Sequence, residues 1–177
     1  MRQHFKEGAE AMTNISAMSG YTPGEEANTP WGYWKVLDAG TNEAGEEFCS
    51  KHIRVEPNNA LSLQSHDYRR EHWVVKSGTL TIILDGERKE LAAGQDVRIP
   101  VGSVHTMANL STAPVVIEEL QEGICREKDI HRFGTDLYGR ATEHSSDPKI
   151  VASIALFDQI LKEVGFVAPV KAPAQNP

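Results

Sequence analysis

Between residues 31 and 121 the chain is a succession of short runs rich in β-branched and aromatic residues, each closed by Gly, Pro, Asn or Asp. WGYWKVLDAG, FCSKHIRVEP, ALSLQSH, EHWVVKSG, TLTIILDG, ERKELAAG, DVRIP, VHTMANL and APVVIEELQ follow one another at regular spacing. Runs of this composition between turn residues read as strands. Asp85-Gly86, between two of them, signals a hairpin, because a tight type I′ turn needs positive φ. Many short strands with close turns predict an all-β fold, an antiparallel sandwich or barrel.

One segment departs from this pattern. DPKIVASIALFDQILKEVGF, residues 147 to 166, predicts a helix, with Asp147 as cap, Pro148 in the first turn and Gly165 at the end. Its Ile150, Ile154, Phe157, Leu161 and Val164 recur at helical spacing and make a stripe that packs on the barrel or on a sister subunit. The chain of 177 residues is then one domain in three parts. Residues 1–28, polar and Gly-rich, are expected to be a flexible N-terminal arm. Residues 29–141 form the barrel, and 142–177 the C-terminal helix and a frayed Pro-rich tail.

A net charge of -7, with no dense Lys/Arg stretch, argues against a nucleic-acid partner. No run approaches the ~20 apolar residues of a membrane span. The N-terminus lacks the apolar core of a signal peptide, so a cytoplasmic location is expected. Cys49 and Cys125 are too few for a disulfide framework and lack zinc-site spacing, which leaves two free thiols.

The chemistry concentrates in LSLQSHDYRREHWVVKSG, residues 61 to 78. Strand side chains two apart share a face, so Gln64 and His66 project together. Glu71, Trp73 and Val75 share one face of the next run, and His72, Val74 and Lys76 the other. With Glu71 inward, three potential ligands converge across one hairpin. His105, after a Pro-x-Gly turn, is a fourth candidate. An amide oxygen, two imidazoles and a carboxylate suit Zn, Mn, Fe, Co or Ni, with a position open for substrate or water.

These segments resemble the paired motifs of the cupin superfamily, G-x5-H-x-H-x3,4-E-x6-G and G-x5-P-x-G-x2-H-x3-N. Gly94, Pro100, Gly102, His105 and Asn109 match the second, while His66, Glu71 and Gly78 match the first. Asn58 stands where the first motif opens with Gly, and Gln64 replaces its first His. The stretch from Pro30 to Arg140 resembles, more closely, the cupin domain of type II mannose-6-phosphate isomerases. It carries their PWGYYxVLD-like opening from Pro30 to Asp38, their SLQxHxHRxEHWxVxSG from Ser62 to Gly78, and their closing Tyr138-Gly139-Arg140. Tyr68 stands where that family has a third His.

The resemblance implies a double-stranded β-helix, or jelly-roll barrel, with a C-terminal helix. It implies one divalent metal ion, zinc foremost, on Gln64, His66, Glu71 and His105. It further implies Arg140 as a catalytic residue that stabilises an enediolate, and Arg69 and Tyr138 as substrate-binding residues, with Arg69 on the phosphate of a sugar phosphate. The bland alternatives are a surface arginine paired with an acid for Arg140 and a solvated turn residue for Arg69. His72, turned away from Glu71, reads as a satisfied structural histidine. The implied reaction interconverts mannose 6-phosphate and fructose 6-phosphate, in a homodimer. A sugar-binding cupin without turnover, or a metal-cupin enzyme on a related sugar, remain open. The Gly-rich signature of a guanylyltransferase is absent, so nucleotidyl transfer is not expected.

Overall fold

Period-two alternation sets the inside and outside of each strand, and the structure, a computed structural model describing residues 20–166, follows it closely. Residues 1–19 of the arm expected over residues 1–28, and the tail after 166, lie outside the described residues. β1 (Glu26–Thr29), β2 (Gly32–Thr41), β3 (Glu47–Val55), β4 (Asn59–Ala60), β5 (Leu63–Ser65) and β6 (Arg69–Ser77) come first. β7 (Thr79–Leu84), β8 (Glu87–Ala92), β9 (Asp96–Ile99), β10 (His105–Asn109), β11 (Val115–Gly123) and β12 (His131–Phe133) follow, then one helix, α1 (Pro148–Glu163). The strands pair antiparallel into two sheets, ordered β1-β2-β3-β11-β6-β9 and β12-β5-β10-β7-β8, with β4 also on β10. Neighbours in a sheet are mostly distant in sequence, as a jelly-roll barrel requires.

Two strands were not legible in advance. Pairing begins at Glu26, inside the segment expected to be an arm, because Glu26–Thr29 folds back on β2 around Pro30-Trp31. β12 pairs with β5 at the other sheet's edge. Both are short, with little apolar alternation to mark them.

The facing sides of the sheets make one core. Ile53, Val55, Trp73, Val75, Val115 and Ile117 from the first sheet meet Leu80, Ile82 and Met107 from the second. Further along the same strands the inward positions turn polar. β3 adds Lys51, β6 adds Arg69 and Glu71, and β11 adds Glu119 and Gln121, all buried. The register sets Glu119 opposite Lys51 and Trp73, and Gln121 opposite Glu71. The barrel interior is therefore amphipathic, dry at one end and charged at the other.

α1 covers the outer face of the second sheet. Asp147 caps it, its carboxylate accepting from the Lys149 amide at 2.8 Å. Phe157, Ile160 and Leu161 bury against Leu63, Ile83, Ala108 and Phe133. Because the helix lies there, β7 is buried on both faces, with Leu80 and Ile82 inward and Ile83 toward the helix. Cys49 and Cys125 are free thiols, buried together beside Val36.

The departure at Asn58 has a backbone explanation. Asn58 has φ 54°, so the position that opens the first motif demands the left-handed region, which Asn tolerates better than other residues with a Cβ. Its side chain is exposed. Asn58→Gly should therefore keep or slightly raise the denaturation midpoint. Asn58→Val should lose about 1–2 kcal/mol in chemical unfolding, the cost of forcing a β-branched residue into that region.

Candidate metal centre and its cavity

His66, at the end of β5, Glu71 on β6 and His105 on β10 meet at the charged end of the barrel. One potential ligand atom from each lies within 4.8 Å of the others, and all three residues are buried. Nε2 of His66 is 3.1 Å from Oε1 of Glu71, and Nε2 of His105 is 3.6 Å from Oε2. Backbone carbonyls fix both rings from behind. Nδ1 of His66 lies 2.9 Å from the Asp129 carbonyl, and Nδ1 of His105 lies 2.9 Å from that of Ser103. A carbonyl can only accept, so each Nδ1 carries the proton and each Nε2 presents a lone pair toward the carboxylate. Nε2 of His105, fully buried, has no hydrogen-bond partner among the described residues. Two imidazole lone pairs and a carboxylate facing one another repel unless a cation lies close by; Arg69 serves His66 and Glu71, while Nε2 of His105 is left without one. The donor set fits a divalent transition metal, with its imidazoles oriented in advance by the groups behind them.

Gln64 reaches the same place from β5. The register sets it opposite His105, and opposed residues project from one face. Its Oε1 accepts from Ser62 Oγ at 3.0 Å, which orients the amide and leaves a second lone pair.

Arg69 differs from expectation. DYRR reads as a turn, but β6 begins at Arg69 and its guanidinium is buried, 2% exposed. Nε donates to Glu71 Oε1 at 3.2 Å, Nη1 to the Arg126 carbonyl at 2.8 Å, and Nη2 lies 3.2 Å from Nε2 of His66. Arg69 has donors alone, so that contact again assigns His66 Nε2 as an acceptor. Its three nitrogens are engaged within the protein rather than held open for a phosphate.

Around Glu71 runs a buried network that the sequence reading did not assign. Trp73 Nε1 donates to Glu71 Oε2 and to Glu119 Oε1, at 3.1 and 3.0 Å. Gln121 Nε2 donates to Glu71 Oε1 and Glu119 Oε2, at 3.2 and 3.0 Å. Burial raises the Glu71 carboxyl, but the charges of protonated His66 and His105 and of Arg69 outweigh it and hold the group well below the usual carboxylate range; with the rings neutral, Arg69, Trp73 and Gln121 are the donors that remain. Burial and the nearby Glu71 charge push Glu119 up to about 8, against the pull of Lys51 and Arg69. Burial also pushes His105 down to about 4. Lys51 lies 4.0 Å from Glu119, with its ammonium 3.4 Å from the centre of the Tyr21 ring. With Glu119 largely neutral, Lys51 and Arg69 outnumber the Glu71 charge, and the barrel end is positive before any metal enters.

Lys51, Gln64, Arg69, Glu119, Gln121, Arg132 and Arg140 line a cavity of about 420 Å³ roofed in part by Trp31 and Tyr21. Glu71 accepts hydrogen bonds from Arg69 and Gln121 of that lining. Arg140 borders the cavity, yet its guanidinium is held by Asp136, with Nη2 at 2.8 Å and Nε at 3.1 Å from Oδ1. Asp136 also accepts from the amides of Tyr138 and Arg140, so it organises the whole Tyr-Gly-Arg turn. Arg140 thus lies at the cavity and is paired with an acid. Tyr138, expected at the substrate, instead donates its hydroxyl to the Ala60 carbonyl at 3.0 Å and supports Arg140, whose guanidinium carbon is 5.1 Å from its ring centre. His72 faces outward and pairs with Asp96 at 2.8 Å. The signal for the missed residues was present: Lys51 is in phase with Cys49 and Ile53, and Glu119 and Gln121 with Val115 and Ile117.

Comparison with known proteins agrees with this geometry. The family model described as "Mannose-6-phosphate isomerase C-terminal" matches residues 18–135. The chain is 41% identical over 119 residues to the alginate biosynthesis protein AlgA of Pseudomonas aeruginosa, covering 67% of this chain and 24% of that protein. It is 37% identical over 116 residues to the mannose-1-phosphate guanylyltransferase of Escherichia coli, covering 65% and 23%. It is 35% identical over 142 residues to the xanthan biosynthesis protein XanB of Xanthomonas campestris, covering 78% and 29%. The chain thus spans about a quarter of the length of these relatives. Among solved structures, the cupin domain of an XRE family transcriptional regulator from Enterobacter cloacae aligns with a TM-score of 0.45 at 30% identity, over 50% of this chain and 92% of that one. A putative sugar phosphate isomerase from Acidithiobacillus ferrooxidans aligns at 0.44 and 20% identity, over 62% and 71%. The chain belongs to the mannose-6-phosphate isomerase C-terminal family, and its fold is a two-sheet antiparallel barrel.

Proposed function

We propose that this domain is a metal-dependent aldose–ketose isomerase that interconverts mannose 6-phosphate and fructose 6-phosphate. The observation that carries the reading is the orphaned Nε2 of His105, facing Glu71 beneath a cavity lined by cations. Gln64, His66, Glu71 and His105 would hold the ion, zinc foremost. Bound there, a divalent metal supplies Lewis-acid stabilisation of a developing sugar oxyanion, worth several kcal/mol.

The rest of the work falls to the chain's own side chains. Isomerisation moves a proton between C1 and C2, so a base must take it and return it. We assign that proton to Glu119, a carboxyl on the cavity wall held by Trp73 and Gln121, which acts as base in the ionised form that Lys51 and Arg69 favour. Arg140, fixed by Asp136 through Nε and Nη2, keeps Nη1 for the oxygen where charge develops. Trp31 and Tyr21 narrow the mouth and limit water around the intermediate. The substrate is a small anionic sugar, matched by the positive barrel end.

A second reading is a sugar-binding cupin without turnover. Arg69 favours it, because its guanidinium already satisfies His66 and Glu71. A coupled assay on fructose 6-phosphate, with and without chelator, separates the two. The isomerase reading expects turnover that a chelator abolishes and added divalent metal restores, and no turnover in metal-loaded protein would leave the binding reading.

Substituting His105 by Ala should abolish stoichiometric metal, read by elemental analysis, while leaving the β-sheet circular dichroism intact. Retained metal would sink the ligand assignment. Arg140→Lys should lower kcat by ~10²–10³, because an ammonium keeps the charge but not the planar fork that both Asp136 and the substrate need. Near wild-type turnover would place Arg140 outside the chemistry.

A further inference from the structure

With the Arg69 donors engaged inside the barrel, the phosphate of a sugar phosphate needs another anchor. The second sheet offers one. Its register sets Arg132 of β12 opposite Gln64 of β5, and Gln64 opposite His105 of β10. Opposed residues share a face, so these three form a row from the candidate metal centre to the cavity's edge. Two strand spacings separate the ends of that row, about 10 Å. An extended hexose phosphate places phosphorus about 9 Å from C1, at ~1.5 Å per single bond along a zigzag. With C1 and C2 over the ligand cluster, the phosphate falls at Arg132.

The Arg132 guanidinium is incompletely served. Its side chain lines the cavity and is 14% exposed. Nε is fully buried and has no hydrogen-bond partner among the described residues. Nη2 donates to Oε1 of Glu127 at 2.8 Å. That carboxylate is 66% exposed and is otherwise held by a long hydrogen bond of 3.4 Å from the Tyr21 hydroxyl. Glu127 can therefore swing into water at little cost. Lys51 and Arg140 add positive charge along the same cavity, and Glu25 and Glu119 are the other acids that line it.

We propose that Arg132 anchors the phosphate and that Glu127 is an internal anion which holds the guanidinium until phosphate replaces it. The identity of the sugar rests on the isomerase reading, whereas the phosphate subsite does not. A phosphate monoester brings three strong acceptors and a charge of about −1.5 to −2. It can take two guanidinium donors at once, including the buried Nε that Glu127 leaves unserved. The exchange gives the protein a mouth that is paired when empty and positive when Glu127 leaves.

The test uses the full chain and inorganic phosphate as probe, titrated by calorimetry, together with steady-state kinetics on mannose 6-phosphate. Arg132→Gln should weaken phosphate ~10-fold or more, and raise KM by a similar factor with kcat within about threefold, as expected when binding common to ground and transition state is lost. Glu127→Gln should tighten phosphate several-fold, a gain that damage to the fold does not produce. Unchanged phosphate affinity in Arg132→Gln would overturn the proposal, as would weaker binding in Glu127→Gln or no phosphate binding by the parent at 10-millimolar levels (about 2.7 kcal/mol of binding free energy). A parent that binds phosphate through Arg132 but turns nothing over keeps the subsite and removes the isomerase reading. Turnover by the parent with Arg132→Gln unaffected removes the subsite alone.

Discussion

The structure depends on keeping one carboxylate charged in a place that water does not reach. Glu71 is 3% exposed, and an ion taken out of water loses several kcal/mol of solvation unless its surroundings return it. Its Oε1 meets His66, Arg69 and Gln121, and its Oε2 meets Trp73 and His105. The donors among them, Arg69, Trp73 and Gln121, solvate the carboxylate, and with His66 just after β5 and His105 on β10 the cluster joins the two sheets at this end. Removing one member of such a network leaves another buried and unpaired, typically a loss of about 3–5 kcal/mol. The site is thus part of the fold's own stability.

Much of this was legible in the sequence, and for a definite reason. Period-two alternation set Glu71 with Trp73 and Val75, and the turn signals before Gly78, Gly86 and Gly94 bounded the strands correctly. α1 runs where its cap and glycine stop predict, and its stripe packs on the barrel. Asp85 and Gly86 both take positive φ, as a type I′ hairpin needs. Local rules sufficed wherever local geometry was the cause.

What stayed hidden was set by contacts distant in sequence. Lys51, Glu119 and Gln121 alternate in phase with core residues, but nothing local says that their strands lie side by side around Glu71. Arg69 follows a turn-like sequence, and only its carbonyl partner at Arg126, far along the chain, draws it inside. Tyr138 sits in a motif that pointed to substrate, yet its hydroxyl is taken by Ala60 on the strand next door in space. Arg132 looked like one arginine among many until β12 was seen beside β5.

Arg69 also links the empty and the metal-bound site. An ion approaching His66 needs the same Nε2 lone pair that now accepts from Arg69 Nη2, and one lone pair cannot serve both. The guanidinium would keep its hold on the Arg126 carbonyl, which lies away from the ligands, and give up the histidine. The protein itself thus supplies a positive charge beside Glu71 at the charged end of the barrel. With an ion held by His66, Glu71 and His105, Arg69 would add a second positive charge beside the carboxylate, and the two together would raise the potential for a negative sugar oxygen. The same buried arginine that steadies Glu71 would then make the site a better host for an anion.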